Sequence, residues 1–287
     1  MAILSSAQKR KYQEDGVIVV PSAISGALLD RLRVDFAGWV NESRSHDGPF
    51  GAMQDGRPRF DVEPGHSASK PGLRRVGSPT EISQAHEDAA FDSPMADMVA
   101  ALIGPNVRFH HAKVNSKLPG TKTTVKWHQD FTFDPHSNDD VLTALLFVDD
   151  VTAENGPLMV VPGSHSGPLY SLWQGGVFTG AVEEKVAVDL SAKAVSCIGA
   201  AGSVCLMNSR LAHASSFNRS PLARSLFIAA YAAADALPLA QNAVPSSHAG
   251  RIVRGVEPGR IRSTAFDIEM PELPKGASFF DQQSGAS

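Results

Sequence analysis

Cysteine is scarce in this chain of 287 residues, with only Cys197 and Cys205 present. There is no CxxC pair and no repeated cysteine framework. Zinc-ribbon and disulfide-scaffold classes are therefore excluded, and the two thiols read as buried and inert in a reducing compartment. An excess of charge of one sign is also missing. The formal net charge is −4 and the basic residues are scattered, so no broad basic field invites nucleic acid or an anionic membrane surface. No run of ~18 apolar residues exists, so nothing reads as a membrane span. The opening MAILSSAQKRKYQEDG turns charged within a few residues and lacks the apolar stretch of a signal peptide. The expectation is a cytoplasmic protein with neither nucleic acid nor membrane as partner. A nucleophile elbow, a Walker loop and a GxGxxG element are absent as well, which leaves hydrolase, NTPase and dinucleotide-binding classes without support.

What is there is ordinary globular material. Hydrophobic residues make up 43% and charged residues 20%, enough to bury a sizeable core. No internal repeat is visible. Ser5 and Ser6 can cap a helix through about residue 14, VIVV (17–20) reads as a strand, and residues 24–43 carry an apolar stripe at helical spacing. Residues 44–87, dense in Gly, Pro, Ser and charge, read as a long loop with little regular structure. Residues 93–104 read as a second scaffold helix. After residue 105 the texture changes. VRFHHAKVNSKL, TTVKWHQDF, LTALLFVDDV, LMVVPG, EKVAVDL, AVSCIG, SVCLMN and RSLFIAAY are short β-rich runs separated by turn signals. They predict an antiparallel sandwich or barrel behind N-terminal helices. Residues 240–287 read as loop and tail. No composition shift marks a second domain. The expectation is one domain over 1–287: helices and a long loop (1–104), a β core (105–232) and a C-terminal extension (233–287).

Within KWHQDF, a strand would place His128 and Asp130 on one face and Trp127, Gln129 and Phe131 on the other. One imidazole nitrogen and one carboxylate oxygen could then meet a single ion. Alone, a His-x-Asp pair is equally well two polar residues on a strand. A later histidine, His213, lies among small residues in LAHASS and can supply a third ligand. Two histidines and one carboxylate form the facial triad of non-haem Fe(II) oxygenases, with the opposite coordination face open. Arg224 opens the run RSLFIAAY, where a buried guanidinium can grip a carboxylate through two parallel hydrogen bonds.

WHQDF (127–131), ENGPLMVVPGSH (154–165) and HASSFNRSPLARSLF (213–227) together resemble the phytanoyl-CoA hydroxylase-type branch of the Fe(II)/2-oxoglutarate-dependent dioxygenases, which includes ectoine hydroxylase. The likeness runs from about residue 105 to 232. It implies a mainly β fold with flanking α-helices around a double-stranded β-helix, the cupin-like jelly roll. It also implies Fe(II), 2-oxoglutarate and O₂ as cofactor and co-substrates. His128, Asp130 and His213 would bind the metal. Arg224 would pair with the distal carboxylate of 2-oxoglutarate, Ser215 could bond the same carboxylate, and Asn115 could hold the co-substrate from the side. The implied activity is hydroxylation of an unactivated C–H bond of a small molecule, with release of succinate and CO₂. Because Asp130 is present, the position that halogenating relatives leave open is filled. Desaturation, epoxidation or cyclisation would use the same site. A jelly-roll protein holding a metal without catalysis is the reading from another class, and Arg224 argues against it.

The remaining candidates have bland readings beside the functional ones. His110 and His111 are adjacent, so on a strand they would face opposite sides. His136 reads either as a substrate contact or as surface loop, and His46, His66, His86 and His248 as solvated. Arg57, Arg59, Arg74 and Arg75 would either meet an anionic substrate or be solvated. Residues 44–78, 169–180 and the C-terminal tail could each cover the mouth of the barrel. No long basic groove suggests CoA, which favours a small free substrate, and no distinctive amphipathic seam assigns an oligomeric state.

Overall fold

The computed structural model describes residues 3–284. Helix α1 (Ser6–Asp15) begins with Ser5 and Gln8 capping each other's backbone, which satisfies two of the N–H groups orphaned at a helix start. Strand β1 (Val17–Val20) follows, then α2 (Gly26–Ser43), capped by Ser25. Residues 44–87 are more ordered than their composition predicts. They contain β2 (Phe60–Val62), β3 (Leu73–Gly77) and the start of α3 (Gln84–Phe91), which is followed by α4 (Pro94–Ile103). Both strands hide in Gly-, Pro- and Arg-rich sequence because they join a larger sheet through backbone bonds that need no alternating pattern.

That sheet holds eight strands in the order β1-β11-β6-β13-β4-β3-β2, with β14 (Ile252–Arg254) also paired to β4. Its centre is β4 (Val107–Lys117), β6 (Val141–Phe147), β11 (Val204–Asn208) and β13 (Arg224–Ala233), all antiparallel. A second sheet runs β10-β7-β12-β5, from β5 (Val125–His128), β7 (Leu158–Val160), β10 (Val195–Cys197) and β12 (His213–Ser215). A small hairpin pairs β8 (Trp173–Gln174) with β9 (Val177–Phe178). The mainly β, jelly-roll architecture is thus the one expected.

Both faces of the large sheet are covered, which is why VLTALLF and FIAAYAA read as nearly unbroken apolar runs. Leu142, Ala144, Leu146, Phe227, Ala229 and Tyr231 face the helices and join their core. Leu145, Phe147, Leu226 and Ile228 face the second sheet and pack on Leu158 and Val160. The site lies between the sheets, on this inner face.

Two runs differ from expectation. EKVAVDL forms helix α6 (Glu184–Ser191) rather than a strand. Its alternation of Val186, Val188 and Leu190 mimics a strand, yet only Leu190 is fully buried and Val188 stays exposed. KWHQDF ends as a strand at His128 and then turns into the one-turn helix α5 (Asp130–Phe133). The tail also departs from a plain extension. Ile252–Arg254 adds a strand, and α7 (Phe280–Ser284) brings the chain back to the site.

Candidate active site

β5 and β12 are antiparallel neighbours, and their register sets His213 directly opposite His128. Gln129 keeps extended backbone angles, so the alternation of the strand carries one residue further and Asp130 arrives on the histidine side although it starts α5. Gln129 points the other way, donating to the carbonyls of Pro168 and Arg210 and accepting from Tyr170 N–H. Trp127 likewise turns away and bonds Ser191.

The three polar groups converge. His128 Nε2 lies 3.7 Å and His213 Nε2 3.6 Å from Asp130 Oδ1, and one ligand atom from each residue falls within 4.8 Å of the other two. Each histidine donates its Nδ1–H to a backbone carbonyl two residues back, at Lys126 (2.8 Å) and Leu211 (2.9 Å). That fixes the tautomer and leaves both Nε2 lone pairs aimed at the centre. Asp130 Oδ2 accepts from Thr143 Oγ1 at 2.7 Å, which leaves Oδ1 for the centre. Burial, followed by the nearby His128, pulls the His213 pKa down to about 4, so its imidazole is neutral at neutral pH and able to ligate. Burial alone would raise the Asp130 carboxyl, but His213 and His128 hold it well below the ordinary carboxylate range. This N,N,O donor set on one side of a small space fits a divalent transition metal with open positions opposite.

The inner face of β4 carries a row of polar side chains, His111, Lys113, Asn115 and Lys117, alternating with Ala112, Val114 and Ser116. Two cavities meet along this row. The first, about 610 Å³ including its solvent mouth, runs from the triad past Asn115 to Lys117, Ser215 and Arg224. Arg224 is buried opposite Lys117 in the register of β4 and β13. Its Nη2 donates to Gly156 O at 2.6 Å while its Nε has no partner. Gly156 has φ +77°, and a Cβ there would lie 2.5 Å from Ser216 O and 2.8 Å from Lys117 Cδ. The turn ENG therefore needs glycine to bring a carbonyl to Arg224. Lys117 Nζ donates to Ser215 Oγ at 2.7 Å and also to Ser216 O. Burial, then Arg224, lowers the Lys117 pKa to about 6. Asn115 Oδ1 is buried without a partner. The sequence reading singled out Arg224, Ser215 and Asn115, which line this cavity, and passed over Lys113 and Lys117, which line it as well. The signal was the alternation from Ala112 onward, which sets every second polar residue on Asn115's face.

The second cavity, about 430 Å³ with its mouth, lies on the other side of the triad and is lined by Arg75, His111, Lys113, Asp134 and Phe279 among others. The two adjacent histidines depart from the opposite-face expectation. His110 and His111 do not face opposite sides. The β4–β13 register skips at this point, with Ala230 opposite His111 and Tyr231 opposite Phe109. His110 is the extra residue of a β-bulge, and a bulge turns two successive side chains together. His110 Nε2 lies 3.3 Å and His111 Nδ1 3.9 Å from the Asp134 carboxylate. His136 is buried against His110 rather than on a surface loop, with ring centres 4.8 Å apart. His86, expected in solvent, is buried against Trp39 and Phe227. Of the four arginines in the 57–75 stretch only Arg75 lines this cavity. Arg57 bonds Asp55, Arg59 bonds Glu81, and Arg74 bonds Asp61. Among the three segments proposed as covers, the tail reaches both cavities, through Phe279.

Comparison with known proteins bears on this arrangement. The family model described as phytanoyl-CoA dioxygenase (PhyH) matches residues 12–226. The chain belongs to the PhyH family. It is 30% identical over 273 residues to a probable alpha-ketoglutarate-dependent hypophosphite dioxygenase of Stutzerimonas stutzeri, covering 93% of this chain and 90% of that one. It is also 30% identical to the L-proline trans-4-hydroxylase of Streptomyces griseoviridis over 165 residues, 55% of each chain. Among solved structures, EctD from S. alaskensis with bound Fe superposes with a TM-score of 0.65 at 25% identity, over 92% of this chain and 88% of that one. This PhyH chain is therefore a non-haem iron oxygenase that depends on 2-oxoglutarate. The reading as a metal-holding protein without catalysis falls away with that membership. No helix among the described residues is long and apolar enough to cross a membrane.

Proposed function

We propose that His128, Asp130 and His213 hold the Fe(II), that Arg224 and Lys117 bind the distal carboxylate of 2-oxoglutarate, and that the enzyme hydroxylates an unactivated C–H bond of a small molecule with release of succinate and CO₂. The observation that carries this reading is the buried guanidinium of Arg224 at the end of the first cavity, with the Lys117 amine beside it. Among the described residues neither Arg224 nor Lys117 forms an ion pair, and Arg224 Nε lacks any hydrogen bond. A buried charge without a counter-charge is costly, so a site of this kind awaits an anion.

Iron with bound 2-oxoglutarate supplies the oxidising power for C–H cleavage, drawn from O₂. The chain supplies orientation. Arg224 and Lys117 would fix the far end of the co-substrate, Ser215 would add a hydroxyl and Asn115 would steady it from the side. Leu145, Leu158, Leu226 and Ile228 exclude water along its length. Lys126 O, Leu211 O and Thr143 hold the ligand side chains in place before any metal arrives. The relatives named for hypophosphite and L-proline take small polar molecules, which supports a small-molecule substrate here.

The test is an anaerobic titration of metal-free protein with Fe(II) and then 2-oxoglutarate, following the weak visible charge-transfer band of the chelate. A band in the wild type that is lost in His213→Ala is the expected result. Metal bound without a band, or a band that survives His213→Ala, would remove this assignment of the triad.

A further inference from the structure

The second cavity contains two basic side chains, Arg75 and Lys113, that form no close ion pair. Arg75 is 3% exposed and its Nη1 has no hydrogen-bond partner. Its cross-strand partner Asp61 is already taken, by Arg74 Nε at 2.9 Å, Arg74 Nη2 at 3.1 Å and Ser278 Oγ at 2.5 Å. Lys113 lies on the next strand, two residues along from the residue opposite Arg75, so both side chains stand on the inner face of the sheet. Among the described residues neither Arg75 nor Lys113 has a carboxylate within 4.0 Å. The carboxylates that act on them, Asp61 and Asp134 on Arg75 and Asp130 and Asp134 on Lys113, do so only from beyond that distance. Phe279 lies over both, 5.7 Å from Arg75 Cζ and 5.9 Å from Lys113 Nζ. Contacts at that range are weak and neutralise nothing. The same ring sits 6.0 Å from His128, so the space under it opens directly on the triad.

A buried guanidinium with an orphaned N–H, a half-buried lysine beside it and an aromatic cover do not suit a neutral or cationic substrate, because desolvating the two basic groups would go uncompensated. They suit an oxyanion, which a guanidinium and an ammonium can bind by short charge-assisted bonds. Lys113 lines both cavities, so an anion held there would lie next to the co-substrate and next to the metal face. We propose that the substrate is a small molecule carrying an oxyanion group (carboxylate, phosphonate or sulfonate) gripped by Arg75 and Lys113, which directs its reacting bond at the triad. This rests on the assignment of the triad and the first cavity given above.

The test uses anaerobic protein already loaded with Fe(II) and 2-oxoglutarate, so that Arg224 and Lys117 are occupied. Methylphosphonate, propionate, methanesulfonate and neutral propionamide are titrated in, and the shift of the visible band is read. At least one anion is expected to shift the band where propionamide does not. Lys113→Met and Arg75→Gln are expected to weaken that anion about tenfold or more, and Arg75→Gln, which lies outside the first cavity, to hold 2-oxoglutarate affinity within about twofold. Lys113→Arg should keep the preference for anions. Propionamide acting as well as the anions in the wild type overturns the proposal without any variant. So do variants that bind the anion normally, or an Arg75→Gln variant that loses 2-oxoglutarate to the same extent. If no band forms on adding 2-oxoglutarate, the assignment of the triad fails first and the anion site falls with it.

Discussion

Replacing Arg224 by methionine keeps much of the side-chain volume but removes the guanidinium donors from the end of the first cavity, leaving Lys117 and Ser215 there. Gly156 O then loses its partner, and the distal carboxylate of 2-oxoglutarate would lose a charge-assisted contact. The 2-oxoglutarate concentration for half-maximal turnover should rise about 10- to 100-fold, while the Fe(II) requirement stays put. Steady-state titrations of each in turn would check this, and a parallel rise in the iron requirement would mark the arginine as structural. Lys117 makes a different prediction. Its pKa is lowered to about 6, against 10.5 for an ordinary lysine, because it is buried beside Arg224. Between those values the free protein carries it neutral. A bound dianion restores the missing counter-charge and favours the protonated amine. Binding near pH 8 should therefore take up roughly one proton. Calorimetry in two buffers of different ionisation enthalpy reads that number, and Lys117→Met should abolish the uptake. Equal enthalpies in both buffers for the wild type would show that Lys117 keeps its state.

At the level of elements, the tail has the most to test. Phe279 sits between the metal-facing His128, Phe133 and the two basic side chains of the second cavity, with ring centres 6.0 Å from His128 and 5.7 Å from Phe133. Phe279→Ala should admit water to the triad. The expected result is a several-fold rise in 2-oxoglutarate consumed without substrate, measured as succinate released, since water exclusion is what suppresses such side reactions. No change would mean that the tail only decorates the mouth. Little of this was legible in sequence, because ASFF carries no periodic signal and its partners are more than 100 residues away. The β core was legible for the opposite reason. Its strands are buried on both faces, so LTALLF and RSLFIAAY announce themselves by composition. The convergence of His128, Asp130 and His213 was legible from spacing and small neighbours, although the strand argument for Asp130 held only because Gln129 stays extended into α5. The bulge at His110 was not legible. One extra residue in a strand leaves the residue types unchanged while turning His110 and His111 to one side, so only the pairing register reveals it. EKVAVDL failed in the other direction. Its β-branched alternation suggested a strand, and packing of Leu190, Val186 and Ala187 beside Trp127 overrode it.

Across the whole molecule, stability and chemistry sit on opposite faces of the same sheet. On β4, Val107, Phe109, Ala112 and Val114 pack into the helix-side core, while His111, Lys113, Asn115 and Lys117 line the cavities. Helix-side polar residues are then free to govern stability without touching the site, and His86 is the clearest of them. It is 1% exposed, its ring lies 5.0 Å from Trp39 and 5.2 Å from Phe227, and burial lowers its pKa to about 3. The unfolded chain takes up a proton on this residue near pH 6.5, whereas the folded chain does so only near pH 3. In between, the unfolded state binds more protons, so stability falls as pH drops through that window and levels off below it. At pH 5 the loss from this one residue is roughly 2 kcal/mol relative to pH 7. Other buried histidines add to the wild-type loss, so the informative quantity is a difference. Denaturant unfolding of the wild type and of His86→Gln at pH 7 and pH 5 should show the wild type losing roughly 2 kcal/mol more than the variant. Equal losses would mean that His86 is protonated within the fold, and that the Trp39–Phe227 contact surrounds a charge which Asp35, 3.9 Å away, would then have to balance.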